Sequence, residues 1–433
     1  MERNIVVLPL PLGPRIPAIK PFPISKLKSG IIVFPSRSMH KLCTTMLFGL
    51  FGTQVDYSLI MTLAVLATLV LAGILGPVLA TPKRITTPVA VGEILVGMLL
   101  GRTGFSFIPT GNSTMLLFST VGFALVMFTA GSHIDLRAFR DGNVLRRALK
   151  VLLINGICAL GIGRLIGSLS GIRNWSLLSV IIFSSSAAFI IPLVTSRQAK
   201  QEVAVLIAQV TMADILSFTM LPLLIQKQNK LGALFGSLAI LICAYLIFRL
   251  LKRANERGLI KRVHAISKTG NFGLELRISL GLLLLLSAFA VKVHSSILVS
   301  GFSLGVVLAA VGVPRRLARQ LFAISDGFFA PIFFVLLGAS IDVSSTFQNT
   351  KSTILVFLLL IGSIMVHLAP AVFKESVRFS LASVAQMGIP AAVVTLGLAN
   401  GALTRGQSGG IMLSALATLF ISSHLLKNRK VEV

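Results

Sequence analysis

The chain has 433 residues, 55% of them hydrophobic and only 12% charged, with a formal net charge of +27. A soluble domain carries about 25% charged residues, so this composition, with a mean hydropathy of +0.92, specifies a polytopic membrane protein. The basic residues lie between apolar segments and form no single patch, which excludes a nucleic-acid-binding reading.

Residues 1–45 differ from the rest. Pro11, Pro14, Pro17, Pro21, Pro23 and Pro35 prevent a long helix there, and Glu2 is the only acid. We expect a basic, proline-rich tail at 1–45, either disordered or ahead of a true start at Met46, and a transmembrane domain over 46–433.

Thirteen apolar segments follow: 57–79, 86–101, 115–131, 147–169, 175–195, 203–226, 231–251, 274–291, 295–313, 325–341, 352–372, 378–400 and 408–426. Their length and composition predict thirteen membrane-spanning helices. The longest hydrophilic stretch between them, roughly 252–273, leaves no room for a soluble domain. Loops after odd-numbered segments and the segment ends that border them, with the C-terminal tail, hold 25 Lys and Arg, and loops after even-numbered segments hold 7. Basic loops stay in the cytoplasm, so the C-terminus is expected there and the N-terminus outside. Cys43, Cys158 and Cys243 are isolated and supply neither a disulfide framework nor a metal site.

The sixth segment carries the chemistry. Asp214 stands near the middle of VAVLIAQVTMADILSFTMLPLLI. A charge at membrane depth costs about 2.5–3.5 kcal/mol and is retained where it pairs, faces a cavity or handles ions. Thr211 and Ser217 lie three residues to either side and could offer oxygens to a cation; the bland alternative is a protonated Asp bonded between helices.

Segments five and twelve are both interrupted by proline among small polar residues. One reads SSSAAFIIPLV, with Ser184, Ser185, Ser186 and Pro192; the other reads SLASVAQMGIPAAVV, with Gln386, Gly388 and Pro390. Paired broken helices in two repeats mark a midplane ion site, because unwound backbone exposes carbonyls and N–H groups. An offset of seven segments makes the repeats inverted. Glu93, between Gly92 and Gly97, is the other acid inside an apolar run and reads as a packing or gating acid. His133 and Asp135 read as a solvated helix end, His367 as a hydrogen-bonded packing residue, and Asp326 and Asp342 as interface residues bracketing segment ten.

Four stretches carry a family resemblance: TTPVAVGEILVGMLLGRTGFS, VGFALVMFTAGSHIDL, VHSSILVSGFSLGVVLA with DGFFAPIFFVLLGASIDV, and AQVTMADILSF. Together they resemble the cation:proton antiporter-2 family of the sodium/hydrogen exchanger superfamily, over about 57–426. The resemblance implies an all-α fold of thirteen helices in two inverted repeats. It also implies crossed broken helices, a dimerisation domain, homodimers and an elevator-like core movement. This chain departs from the pattern in three places. Ala213 stands where relatives often carry Asp, Asn or Gln, segment eleven has no Lys or Arg between Lys351 and Lys374, and GIP follows Gln386 where relatives often have Gly-Glu.

The expectation is an integral-membrane antiporter, not an enzyme, that exchanges a monovalent cation, Na+ or K+, for protons by alternating access. No cofactor and no nucleic-acid partner are expected, and a bacterial-type plasma membrane is the expected location. Asp214 holds proton or cation in turn, and Thr211, Ser185 and Gln386 are the supporting ligands. The reading from another class is a non-transporting or channel-like protein that keeps the fold. One carboxylate and no basic partner predict one-for-one, electroneutral exchange.

Overall fold

A bilayer offers no water to unpaired backbone groups, so each apolar run must satisfy its own N–H and C=O groups as helix. The computed structural model describes residues 57–80, 88–108, 112–132, 141–194, 200–225, 230–270, 272–293, 295–312 and 315–426, and every expected apolar segment is helical there. The expected tail at 1–45 and His133 lie outside the described residues.

In chain order the helices are α1 (Tyr57–Ala80), α2 (Val89–Leu100), α3 (Ser113–Ser132), α4 (Gly142–Ser170), α5 (Trp175–Phe183), α6 (Ala187–Leu193), α7 (Lys200–Ile225), α8 (Lys230–Glu256) and α9 (Leu259–Thr269). Then come α10 (Leu274–Lys292), α11 (Ile297–Val311), α12 (Arg315–Ile324), a π-turn (Ser325–Phe329), α13 (Ala330–Ser340), α14 (Val343–Gln348), α15 (Thr350–Leu368), α16 (Val377–Ala382), α17 (Gly388–Ala399) and α18 (Arg405–Leu426). Among the described residues nine helices are long and apolar enough to cross a membrane, and four shorter apolar ones complete the thirteen segments. Polar residues start several of them. Asp141 caps α4 by accepting from the Asn143 N–H at 2.9 Å, and Asn349 caps α15 by accepting from Lys351 N–H at 3.0 Å.

Three differences from the sequence reading have physical causes. Segment ten begins at Arg315, ten residues early, because α12 is a basic amphipathic helix that hydropathy alone passes over. For the same reason the hydrophilic stretch after α8 contains α9. Segments five and twelve are each two helices, and both breaks precede their prolines. The first break is Ser184–Ser186, with Pro192 inside α6; the second follows α16, with Pro390 in the first turn of α17, where its missing N–H costs little.

The helices form two bundles. One contains α4, α5–α6, α7, α15, α16–α17 and α18; the other contains α1, α2, α3, α8, α10, α11 and α12–α13. In the second bundle glycines let backbones meet, as small residues do in membranes. A Cβ on Gly97 of α2 would meet the Val335 oxygen of α13 at 2.2 Å, and one on Gly305 of α11 would meet the Phe128 oxygen of α3 at 2.1 Å. Exchanging the repeats turns segments two and ten into nine and three. These two glycine-mediated contacts are therefore images of one another, as inverted repeats require.

Candidate ion-binding site

Asp214 lies mid-helix on α7 and is 4% exposed. Its Oδ2 accepts a hydrogen bond of 2.7 Å from the N–H of Ala187, the first residue of α6. The break at Ser184–Ser186 frees this donor: α6 has no preceding turn to take it, so a carboxylate on the neighbouring helix does.

The two breaks cross and are knitted together. Ser185 Oγ donates to the Ser383 carbonyl at 2.8 Å and lies 3.3 Å from His367 Nε2, whose Nδ1 is 2.9 Å from the Ser363 carbonyl. Gln386 Nε2 donates to Ser363 Oγ at 3.0 Å and to the Ile182 carbonyl at 3.4 Å. The Gln386 N–H donates to Thr418 Oγ1 at 3.3 Å, and Ser422 Oγ donates to the Ala382 carbonyl at 2.5 Å. Much of the unwound polar backbone is thus satisfied within the protein.

A cavity of about 600 Å³ opens between the bundles. Asp214, Phe218, Ser186, Met387 and Gly388 line it from the first bundle, and Glu93, Thr129, Asp326 and Phe333 from the second. Both broken-helix N-termini therefore reach it. Glu93 is 3% exposed, and Gly76 of α1 leaves the space it needs: a Cβ there would lie 2.5 Å from the Glu93 Cγ. Beyond Asp214 along α7, Phe218 packs on Phe302 of α11 with ring centroids 4.8 Å apart, an apolar contact between the bundles.

Of the residues expected at the site, the cavity brings together Asp214 and Glu93. Ser185 and Gln386 are among the buried groups that join the breaks and do not line it; Ser185 Oγ and Gln386 Nε2 donate across the crossing. Thr211 is fully buried one turn before Asp214, and its Oγ1 has no hydrogen-bond partner among the described residues. Pro390 is buried at the start of α17. His367 is the hydrogen-bonded packing residue the sequence suggested. Asp342 caps α14 by accepting from the Ser345 N–H at 2.9 Å. The sequence reads Asp326 as an interface residue and not as a cavity residue, because it sits at the first apolar residues of segment ten. Once Arg315 is seen to begin the helix, Asp326 lies three turns inside it. The π-turn there, a distortion frequent at functional sites, spans Ser325–Phe329.

The sodium/hydrogen exchanger transmembrane family model matches residues 67–427. The Bacillus subtilis (strain 168) protein YjbQ, whose name assigns it to the Na(+)/H(+) antiporters, is 24% identical over 387 residues, 83% of this chain and 62% of that protein. This chain thus spans less than two thirds of that relative's length. The Na(+)/H(+) antiporter of Enterococcus hirae is 24% identical over 273 residues, 60% of this chain and 69% of that protein. In fold, the sodium proton antiporter MjNhaP1 from Methanocaldococcus jannaschii, solved at pH 8, is similar with a TM-score of 0.59 at 17% identity, covering 84% of this chain and 96% of that one. The chain is an integral membrane protein and belongs to the sodium/hydrogen exchanger transmembrane family.

Proposed function

We propose that this protein exchanges a monovalent cation, Na+ or K+, for protons across the membrane by alternating access. One observation carries the reading: Asp214, buried mid-span on α7 and bonded to the start of α6, lines a cavity between two bundles. A carboxylate there can hold a proton or a partly dehydrated cation, but not both charges at once. Thr211, whose hydroxyl one turn away has no partner among the described residues, is the proposed second oxygen. Within the family, the Gly-Glu motif at Glu93 and the AQVTMADILSF helix favour the cation:proton antiporter-2 branch, and with it a homodimer.

Access follows from charge and packing. From the second bundle the cavity is lined by Pro77, Val89, Thr129 and Phe322. Pro77, Val89 and Thr129 stand near helix ends adjoining the basic loops that hold Lys83 and Arg84, and Arg137 and Arg140, and Phe322 follows Arg315, Arg316 and Arg319 on α12. Basic loops are cytoplasmic, so Asp214 faces the cytoplasm here and the C-terminus lies on that side. The Phe218–Phe302 contact closes the other side. Movement of the α4–α7 and α15–α18 bundle along its neighbour would open that contact and carry Asp214 across. Residues 46–433 form the transporting domain, so deletion to Met46 should leave insertion and exchange intact.

Reconstitution into vesicles with a lumenal pH dye tests the reading. Adding Li+, Na+ or K+ should change the lumenal pH for at least one cation. Cation flux without proton movement would show a channel, and no flux from folded protein would show a non-transporting relative.

A further inference from the structure

The connection between α8 and α10 has no part in the ion site, yet it concentrates charge. Residues 252–268 hold six Lys or Arg, all exposed, against one acid, Glu256. None of the six forms an ion pair with a described residue. Within this stretch α9 is clipped to the start of α10: His264 Nδ1 lies 2.5 Å from Glu275 Oε1, and the Leu274 N–H donates to Ser267 Oγ at 3.2 Å. These contacts fix its depth. α10 has 19 residues, about 28 Å of helix, close to the roughly 30 Å of a hydrocarbon core. Its first turn therefore stands at the boundary with the headgroups, and α9 lies there with it.

Helical spacing gives α9 distinct sides. Ser267 is buried and Ile260, Val263 and His264 are half-buried, so this side packs on α8 and α10. Leu259 and Ile266, seven residues apart, share an exposed apolar edge, and Phe272 just beyond α9 is also exposed. Lys261 and Lys268, again seven apart, share the opposite edge, and Arg262 stands beside the apolar one.

We infer that α9 and the end of α8 form a docking surface for anionic phospholipid, with Leu259, Ile266 and Phe272 among the acyl chains and Arg257 and Arg262 at the phosphates. Two observations choose this occupant over a soluble acidic partner. The apolar and basic edges oppose each other at the depth where hydrocarbon gives way to headgroups, as in a helix that lies in the interface. The charge also complements the leaflet: basic loops are cytoplasmic, and clusters of roughly four to eight Lys and Arg beside a span are drawn to the anionic lipids of that face. A soluble polyanion would meet the cations and leave the three apolar side chains in water. None of these residues lines the Asp214 cavity, so the surface stands apart from the antiport reading.

Fluorescence quenching of the full chain in vesicles tests the surface. A Trp175→Phe, Ile266→Trp variant carries its only indole on the apolar edge. It is reconstituted in mixtures of phosphatidylglycerol and phosphatidylcholine in which one or the other lipid has brominated acyl chains. At equal mole fraction, quenching should be at least about twofold stronger with the bromine on phosphatidylglycerol, because the cations enrich that lipid. The excess should fall by at least about half when Arg257→Gln and Arg262→Gln are added, and shrink in high salt, while quenching by brominated phosphatidylcholine persists. A Trp175→Phe, Lys268→Trp variant, with the indole on the opposite edge, should be quenched less by either lipid. Equal quenching of the Ile266→Trp variant by the two lipids overturns the anionic preference, and no quenching by either takes the edge out of the bilayer; each result overturns the proposal. Loss of the excess on adding glycerol phosphate at matched ionic strength would show a phosphate site that needs no lipid, and overturns it as well. Should Ile266→Trp fail to give a monodisperse protein, Leu259→Trp reports the same edge.

Discussion

The two breaks are built alike and used differently. In the first repeat, the N–H of Ala187 just after the break donates to Asp214 Oδ2 on the next helix, α7, at 2.7 Å. In the second, the N–H of Gln386 within the break donates to Thr418 Oγ1 on the next helix, α18, at 3.3 Å. Each break thus hands a backbone donor to a side-chain oxygen on the helix that follows. In one repeat the oxygen belongs to a group that can change charge and lines the cavity; in the other it belongs to a hydroxyl that cannot change charge and is fully buried. The fold therefore has two copies of one device, one ending on a titratable oxygen that lines the cavity and one ending on a buried hydroxyl, and the proposed antiport uses the first. The rest of the second break supports the crossing: Gln386 reaches back to Ile182 and Ser363, and the Ser383 carbonyl receives Ser185.

Substitutions at these oxygens separate the two versions. Asp214→Asn keeps an oxygen for the Ala187 N–H and removes only the titrating charge. It should lower exchange by more than about a hundredfold, as loss of an essential proton-transfer group does, with the thermal midpoint near that of wild type. Exchange that survives in this variant would place the ion elsewhere. Thr418→Val removes the acceptor and leaves a buried N–H unpaired, which should cost about 1–3 kcal/mol of stability. Its exchange should keep the wild-type cation dependence, because Thr418 does not line the cavity; a changed cation preference would mean that the second break also ligates. Ser185→Ala loosens the crossing without touching either oxygen. Hydrogen bonds between membrane helices contribute about 0.6 kcal/mol on average, so a small drop in melting temperature is expected, readable by differential scanning fluorimetry, with exchange reduced by less than Asp214→Asn reduces it.

Much of this was legible in the sequence, for reasons that can be named. Asp214 stands out because a charge inside an apolar run is costly, and the thirteen segments stand out because a bilayer demands length. The breaks were visible through Pro192 and Pro390, yet the unwound residues lie ahead of both prolines, since proline is tolerated in a first helical turn and disrupts chiefly what precedes it. The roles of Ser185 and Gln386 were not legible. Polar residues beside a break can face an ion or satisfy the opposite break, and only the three-dimensional crossing decides. Asp326 was hidden by a different effect: the basic start of α12 carries no apolar signal, so the helix seemed to begin where the acid stands. Thr418 gave no signal, because a threonine in an apolar helix is ordinary until its partner is known.

The claim that unites these observations is that Asp214 alone carries charge across, holding a proton or a cation in turn. The α18 counterpart is Thr418, α15 places His367 in hydrogen bonds to Ser185 and Ser363, and Glu93 and Asp326 stand on the other bundle. Entering with one positive charge and returning with another moves no net charge. The direct measurement is Na+-dependent proton flux in vesicles under a membrane potential imposed with K+ and valinomycin, given that K+ is not itself transported. The account predicts that the potential alone drives no Na+-coupled proton movement and leaves the Na+-driven rate unchanged. A proton flux that requires Na+ and follows the imposed potential would contradict it, and would require a second group that titrates during the cycle.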